Sequence, residues 1–342
     1  MNRLHLLALP WVAASLLPSP AAGGAAGSIL YVDNSEGTTL TLVDTASLER
    51  IGEIAVGEKP HGLAASPDGR RVYASVESTN RLLAIDAESR RIVGTAALGQ
   101  RPNQISVSAD GRYVYVPLRG DAGLDIVDTS TMRVAKRLDV PSEPHNSYAP
   151  RAGRRVYVGC MAGKAIVVVD ARSHLIERRI PMPAAVRPIA IKSDESVAYV
   201  ALSELHGFAV LDLESGQLVR RVELPKLPPD TPRPYLDTYT HGLALTPDEK
   251  ELWVTSVPSG KLYAFSVPAL ELTGEVAVGK FPNWLAFTPD GKTLFVSNTE
   301  SDTVSAIDVP TRSVKATIGV GRSPKRLIVV PRVRAVPTQG AR

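Results

Sequence analysis

Short runs of apolar, often β-branched residues recur along the chain, and polar or turn-forming residues separate them. Two kinds of run alternate, such as VYASV, VYVPL, LWVTS and LFVSN on one hand and LTLVD, LLAID, LDIVD and IVVVD on the other. Four runs fall in each repeating unit, and no stretch of useful length has the period of an amphipathic helix. The pattern predicts an all-β protein with four strands per unit.

The runs recur at an almost fixed interval, marked by a turn of the type Ser-Pro-Asp-Gly. Proline fixes φ, aspartate binds its own backbone and glycine accepts a positive φ, so this tetrapeptide favours a tight hairpin. The turn positions are Asp68, Asp110, Ala152, Asp194, Asp248 and Asp290, at steps of 42, 42, 42, 54 and 42 residues. About forty residues with four strands is the size of a β-propeller blade.

The number of blades comes to seven only if the two ends of the repeat region join. The N-terminal part supplies three strands (ILYVD, TLTLVD and GEIAVG), and RLIVVP near the C-terminus is a spare fourth. Together they complete the last blade and leave no open sheet edge. We therefore predict a seven-bladed β-propeller over residues 27–331, with four-stranded antiparallel blades, and a monomer as the default state.

The two ends of the sequence differ from the repeats. Residues 1–26 combine Arg3, an apolar run and a series of small residues, which is typical of a signal peptide. The run is too short to span a bilayer, and Pro10 interrupts it. We expect a periplasmic or secreted protein without a membrane anchor, and a basic, disordered tail over residues 332–342.

Charge and cysteine content exclude some functions. The formal net charge is +4, but Arg3, Arg332, Arg334 and Arg342 lie in the predicted signal peptide and tail. The remaining part is close to neutral, whereas a nucleic-acid surface needs clustered cations. The single cysteine, Cys160, cannot form an internal disulfide, and we expect it to be buried.

The repeats resemble those of a known family. The segments VGEKPHGLAASPDGRRVYAS, LGQRPNQISVSADGRYVYVP and VGKFPNWLAFTPDGKTLFVSNTESDTVSAID are similar to the YVTN-type propeller repeat. Its pattern is a VG-x-x-P lead, an SPDG turn, a YVxN strand and a strand ending in ID. The resemblance covers about residues 29–331 and implies an exported propeller. It does not fix the function, since such repeats occur in proteins of many roles, some near haem d1 and quinone-dependent enzymes.

One position of the repeat, seven residues before the turn aspartate, is polar in every blade. Three of the five histidines outside the predicted signal peptide occupy it. It lies at the start of the innermost strand, beside the central channel. The position is held by His61, Asn103, His145, Arg187, His241, Asn283 and Lys325, which we call the polar ring. Strict alternation with Leu63 and Ala65 would turn His61 between blades, unless Pro60 keeps it in the preceding loop.

The polar ring allows two interpretations. Repeats arise by duplication, so a histidine retained for loop structure is one of them. In the other, His61, His145 and His241 bind a transition metal (Cu, Fe or Zn) and leave a coordination position open. Four further members, Asn103, Arg187, Asn283 and Lys325, would then bind an anionic substrate. Nearby side chains that could orient these groups are Tyr148, Asp237 and Tyr239. A bound haem is a weaker interpretation.

The step of 54 residues indicates an insertion near Leu227 to Thr238, ahead of an innermost strand. Its four prolines indicate a stiff loop, either a lid or a plain surface loop. We expect a metal-dependent oxidoreductase acting on a small anionic or oxygenated molecule, with a redox or protein partner possible. The alternative is a non-catalytic propeller that binds a small anion, a tetrapyrrole or a partner protein. A lactonase-like hydrolase is the least favoured of the three interpretations, because such sites usually need carboxylate ligands for calcium and the polar ring has none.

Overall fold

The computed structural model describes residues 27–151 and 153–332. The predicted signal peptide and residues 333–342 of the predicted tail lie outside the described residues. Within the described part nearly all regular structure is β-strand, apart from a 3-10 turn at Tyr235–Asp237. No helix in that part is long and apolar enough to cross a membrane.

In residues 27–151 and 153–332, twenty-eight strands form seven four-stranded antiparallel sheets. The first three strands are β1 (Ser28–Asn34), β2 (Thr39–Asp44) and β3 (Arg50–Ala55). Blade 1 contains β4 (Pro60–Ala65), β5 (Arg71–Val76), β6 (Arg81–Asp86) and β7 (Ile92–Ala97). Blade 2 contains β8 (Ser106–Val107), β9 (Tyr113–Leu118), β10 (Gly123–Asp128) and β11 (Arg133–Asp139). Blade 3 contains β12 (Pro144–Tyr148), β13 (Arg155–Cys160), β14 (Ala165–Asp170) and β15 (Leu175–Pro181).

The remaining blades repeat the same order, from the innermost to the outermost strand. Blade 4 contains β16 (Val186–Ile191), β17 (Val197–Leu202), β18 (Gly207–Asp212) and β19 (Gln217–Glu223). Blade 5 contains β20 (Leu243–Leu245), β21 (Glu251–Ser256), β22 (Lys261–Ser266) and β23 (Leu272–Ala277). Blade 6 contains β24 (Pro282–Phe287), β25 (Thr293–Asn298), β26 (Thr303–Asp308) and β27 (Ser313–Gly319). The last strand is β28 (Pro324–Pro331).

Blade 7 joins the two ends of the repeat region. Its strand order is β28-β1-β2-β3, and Leu30 pairs with Val43 on one side and with Val329 on the other. The prediction of seven antiparallel blades, with the last one closed in this way, is confirmed.

The core lies between adjacent blades. Between blades 3 and 4, for example, Tyr157, Val168, Val200 and Leu211 are almost fully buried in one cluster. Burial of side chains of this size stabilises a fold by roughly 1.5–3 kcal/mol each. Cys160 is also buried, as expected, and burial raises the pKa of its thiol to about 12.

The Ser-Pro-Asp-Gly turns form hairpins. In blade 1, Asp68 Oδ1 accepts hydrogen bonds from Ser66 Oγ and Arg70 N, and Gly69 has a φ of 71°. These turns join the first and second strands on one face of the propeller, which we call the hairpin face. The polar ring lies towards the opposite face, where each chain segment enters its innermost strand. The insertion lies there too, between Glu223 at the end of β19 and Leu243 at the start of β20.

Candidate functional site

Members of the polar ring lie in β-bulges. In blade 1, Pro60 pairs with Val76 and Gly62 pairs with Ser75, so His61 is an extra residue without an opposite partner. His145 is likewise extra in blade 3. A bulge interrupts the alternation of side chains along a strand. The side chain of His61 therefore does not follow the alternation set by Leu63.

In three other blades the bulge contains two inner-strand residues opposite one. Blade 6 has Asn283 and Trp284 between the pairs Pro282–Asn298 and Leu285–Val296. The corresponding residues are Arg187 and Pro188 in blade 4, and Lys325 and Arg326 in blade 7. In these three blades the position after the member of the polar ring is thus also displaced from regular pairing.

Hydroxyl groups opposite the bulges connect neighbouring blades. Ser75 Oγ accepts a hydrogen bond from Gly62 N at 2.8 Å and donates one to the carbonyl of Asn103 in the next blade at 2.8 Å. Ser297 does the same, accepting from Trp284 N and donating to the carbonyl of Lys325. A single hydroxyl therefore satisfies a bulge amide and fixes the adjacent blade.

Blade 7 has Asp33 where those blades have a hydroxyl. Asp33 Oδ1 accepts hydrogen bonds from the amides of Lys325 and Arg326, each at 2.9 Å. Its second oxygen, Oδ2, is buried without a hydrogen-bond partner among the described residues. Burial raises the pKa of this carboxyl to about 7, although the amides and Arg326 oppose the shift. Near neutral pH it is thus only a partial counter-charge.

Arg326 lies inside the polar ring and is only 1% exposed. Its Nη1 donates to Asn283 Oδ1 at 3.0 Å and its Nη2 to Asn146 Oδ1 at 3.4 Å, across the channel in blade 3. The indole of Trp284 lies against the guanidinium. Nε is buried without a partner among the described residues. Burial lowers the pKa of Arg326 to about 10, so the group stays charged at neutral pH.

The structure brings two of the three predicted metal ligands together. The ring centroids of His145 and His241 are 6.2 Å apart. His241 Nδ1 lies 3.1 Å from the carbonyl of Asn283, whereas His145 Nδ1 is buried without a partner in the described chain. His61 Nδ1 lies 3.5 Å from the carboxylate of Glu77 instead.

Burial keeps the three histidines neutral. It lowers the pKa of His61 to about 4, despite the hydrogen bond to Glu77, and it lowers those of His145 and His241 well below the usual range. Arg326 is the nearby charge that contributes most to the last two shifts. Glu77 itself has a pKa of about 2, because its carboxylate accepts hydrogen bonds from His61.

The residues present do not fit the expected transition-metal site. Among residues 27–151 and 153–332, no group of three or more His, Cys, Asp or Glu side chains is arranged to hold a metal ion. The buried Arg326 places a positive charge close to His145 and His241 and would repel a metal cation. The same charge favours an anion.

The predicted substrate-binding residues have separate roles. Asn103 Oδ1 accepts the amide of Gln104, so this side chain caps its own strand. Arg187 donates from Nε to Ser203 Oγ and from Nη2 to the carbonyl of Leu236, which fastens the insertion. Asn283 holds Arg326, as described above. For Lys325, burial lowers the pKa of the ammonium group.

The three residues predicted to orient the polar ring also have different contacts. The hydroxyl of Tyr148 accepts hydrogen bonds from Asn146 Nδ2 and from Ile189 N, so it supports a residue that binds Arg326. The carboxylate of Asp237 pairs with Arg233 inside the insertion. Tyr239 packs beside His206, with ring centroids 6.2 Å apart.

Sequence reasoning missed the residues at the centre of the site. They occupy the position after the polar ring, which holds Gly62, Gln104, Asn146, Pro188, Gly242, Trp284 and Arg326. A charged residue at a position that is glycine in two blades is a signal that could have been found. The replacement of Ser75, Thr255 and Ser297 by Asp33 at one repeat position is another.

Comparisons with known proteins agree with this architecture. No curated protein matches the chain. Hydrazine synthase of Kuenenia stuttgartiensis is similar in structure, with a TM-score of 0.73 at 18% identity over 85% of this chain and 98% of that one. The periplasmic gluconolactonase PpgL of Pseudomonas aeruginosa has a TM-score of 0.70 at 21% identity over 89% and 99%. Dihydro-heme d1 dehydrogenase NirN has a TM-score of 0.64 at 16% identity over 89% and 66%.

These identities are low, and the likeness shows the shared propeller fold. The family model described as "Lactonase, 7-bladed beta-propeller" matches residues 26–319, which is most of the chain. The chain belongs to the lactonase family of seven-bladed β-propellers.

Proposed function

We propose that this protein hydrolyses a small cyclic ester and that Arg326 binds the ester carbonyl. One observation carries the proposal: the buried guanidinium of Arg326, inside the polar ring, and the buried neutral imidazole of His145, a member of that ring, each have a nitrogen without a partner among the described residues. Buried polar groups are almost always paired, and an unpaired one points to a ligand or a catalytic role. Membership of a lactonase family supports the choice of ester chemistry.

Arg326 supplies the positive charge that ester hydrolysis requires. Attack of water on a carbonyl carbon turns the carbonyl oxygen into an oxyanion, and fixed donors in a dry site stabilise that charge strongly. Nε of Arg326 is free to donate, while Asn146, Asn283 and Trp284 hold the guanidinium in place. Such preorganised donors lower the barrier without rearrangement during the reaction.

His145 is the group that exchanges the proton. The neutral imidazole takes a proton from water at Nδ1 as the water oxygen bonds to the carbonyl carbon. Collapse of the tetrahedral intermediate breaks the ring C–O bond, and the leaving alkoxide takes the proton back. The charge on Arg326 lowers the pKa of His145 at rest. An oxyanion at Arg326 offsets that charge, so the imidazole becomes more basic as the reaction proceeds.

The experiment is a survey of γ- and δ-lactones, including glucono-δ-lactone, with ring opening followed by pH-stat titration. We expect enzyme-dependent opening of at least one lactone, and a loss of about 100-fold or more in kcat/KM for Arg326→Lys and for His145→Gln. His174→Gln is the matched control, since His174 lies near the hairpin face and contacts Tyr115. Failure to open any lactone, or full activity of His145→Gln, would overturn the proposal.

A second candidate function, binding of a small carboxylate, rests on the charge of Arg326 inside the polar ring. Arg326 is buried beside neutral amides, and Asp33 has a pKa of about 7, so the site lacks a full counter-ion. Such a site could hold a small carboxylate without turning it over. Calorimetry with gluconate, a ring-opened product, distinguishes the two functions. Gluconate binding without any lactone turnover would show that the protein binds carboxylates and does not catalyse lactone hydrolysis.

The metal-dependent oxidoreductase is not part of this proposal, because the histidines do not form the ligand set that it needs. Haem binding, a redox or protein partner and a monomeric state stay predictions from the sequence. Export to the periplasm or medium is proposed with the function. It is tested by fractionation and by N-terminal sequencing of the mature protein, which we expect to begin near residue 27.

A further inference from the structure

We propose that the hairpin-face end of the central channel is a second binding site, for an uncharged apolar or aromatic small molecule. A cavity of about 670 Å³ lies there, lined mainly by the innermost strands of blades 7, 1, 2 and 3, with Ile191 of blade 4 and Trp284 of blade 6. Small-molecule sites typically have volumes of roughly 300–1,000 Å³. The cavity is distinct from the polar ring, and neither His145 nor Arg326 lines it.

Apolar side chains form most of the cavity wall. The residues that define its body are Leu63, Ile105, Val107, Ile191, Trp284 and Ile328. Its mouth lies among the hairpin turns, at Pro67 and Gly69 in blade 1 and at Pro150 in blade 3. A ligand can therefore reach it from solvent without passing the polar ring.

Charged side chains, Asp68 and Arg151, line only the mouth, and the polar side chains deeper in the wall already bind protein groups. Ser106 Oγ donates to Ser147 Oγ at 2.9 Å, and Ser147 Oγ donates to the carbonyl of Tyr115 at 2.8 Å. The amide of Gln104 donates to the carbonyl of Leu63 and accepts from its N–H. These polar groups therefore have few free donors or acceptors for a ligand. A polyhydroxylated molecule would lose its bonds to water without replacement, so the wall selects apolar ligands.

Trp284 separates the cavity from the polar ring. Its indole lines the cavity and also lies against the guanidinium of Arg326, whose Cζ is 4.3 Å from the ring centroid. A ligand in the cavity will therefore contact the residue that positions Arg326. Aromatic ligands can also stack on the indole or meet its edge.

The test uses N-phenyl-1-naphthylamine, an uncharged apolar probe whose fluorescence rises in an apolar site. We expect one probe molecule to bind each protein molecule. Trp284→Ala removes the indole from the cavity wall and should weaken probe binding several-fold, while Trp253→Phe, which alters a side chain buried in the core between blades 5 and 6, should leave it unchanged. Unchanged probe binding by Trp284→Ala would overturn the proposal, as would the absence of stoichiometric binding.

Filling the cavity gives a second, independent measurement. Ala65 lines the cavity and lies at the repeat position that Phe287 occupies in blade 6, so the fold accepts phenylalanine there. Ala65→Phe should weaken probe binding by about tenfold or more. Leu245→Phe is the matched control, because Leu245 holds the same repeat position in blade 5 and is not among the cavity residues.

Circular dichroism checks that each variant is folded, and Val107→Phe repeats the test from blade 2 if Ala65→Phe does not fold. Equal weakening by Leu245→Phe would overturn the proposal. Displacement of the probe by gluconate at equal concentration would also overturn it, since it would assign the cavity to polar ligands. None of these results depends on lactone turnover at the polar ring.

Discussion

The guanidinium of Arg326 stacks on the indole of Trp284, with its Cζ 4.3 Å from the ring centroid. A cation over an aromatic face gains roughly 0.5–2 kcal/mol, more when water is excluded. That gain is smaller than the several kcal/mol that burial of an ion costs. The stacking therefore positions a charge that the fold would be more stable without.

Replacement of Arg326 by methionine should separate stability from function. We expect Arg326→Met to change the free energy of unfolding by no more than about 1 kcal/mol, because relief from burying a cation offsets the loss of the hydrogen bonds to Asn283 Oδ1 and Asn146 Oδ1. Lactone opening and gluconate binding should both disappear. Urea denaturation and calorimetry measure the two effects, and a clear loss of stability would contradict the argument.

The depressed pKa of His61 makes stability depend on pH. Its pKa in the folded protein is about 4, against the usual 6.5 of a histidine, so between these values the unfolded chain binds more protons. Stability should therefore rise with pH from about 4 to 6.5, by up to about 1.4 kcal/mol per pH unit for this group. His61→Gln should flatten this part of the curve, as measured by denaturant unfolding at several pH values. A slope equal to that of the unaltered protein would contradict the prediction.

Asp33 should act in the opposite direction. Its folded-state pKa is about 7 against 3.8, so the folded protein binds more protons between those values. The contribution of this carboxyl to stability is full below about pH 4 and is lost as pH rises towards 7. In Asp33→Asn the amide oxygen can still accept from Lys325 N and Arg326 N.

The stability of Asp33→Asn relative to the unaltered protein should increase with pH across that range. The measurement is the difference in unfolding free energy at pH 5 and at pH 8. A difference that does not change with pH would show that the carboxyl titrates normally.

Gly62 allows the backbone of blade 2 to pack closely against blade 1. A Cβ at position 62 would lie 2.3 Å from the carbonyl oxygen of Asn103 and 3.0 Å from Cα of Gln104. Because both obstacles are backbone atoms, Gly62→Ala should destabilise the protein by about 2–4 kcal/mol. Gly319→Ala, where a Cβ would meet nothing within 4 Å, is the control and should change stability by less than about 0.5 kcal/mol. Thermal unfolding of both variants measures the contrast.

Arg187 should control the order of the insertion. Its Nη2 holds the carbonyl of Leu236, next to Tyr235, whose side chain is 77% exposed. Arg187→Ala removes that donor, so chymotrypsin should cleave after Tyr235 several-fold faster under native conditions. Arg233→Ala is a useful comparison, because it breaks the pair with Asp237 and leaves the Arg187 bond. Equal protection of Arg187→Ala and the unaltered protein would show that other contacts hold the loop.

Sequence periodicity was enough to predict the blades, the hairpin turns and the closing of blade 7. The reason is that each blade repeats the same local contacts, so Asp68 and Asp290 lie in equivalent hairpin turns. The start of the innermost strand was also located correctly. The directions of its side chains cannot be predicted from alternation, because a bulge at His61 and a wider bulge at Lys325 interrupt it.

The centre of the site depends on contacts between distant parts of the chain. Arg326 meets Asn146 across the channel, 180 residues away in sequence. Periodicity relates equivalent positions, and these two residues also share one repeat position. It does not show that one is a cation held by the amide of the other. The contact of His61 Nδ1 with the carboxylate of Glu77, which lies in the turn after β5, is likewise not predictable from periodicity.

The amide of Arg326 binds the carboxyl of Asp33, and these residues are 293 positions apart. Until β28 pairs with β1, neither the cation nor its partial counter-charge is buried. The channel chemistry is therefore assembled in the step that closes the circle. A chain in which only six blades have formed lacks this site, so ligand binding reports that β28 has paired with β1.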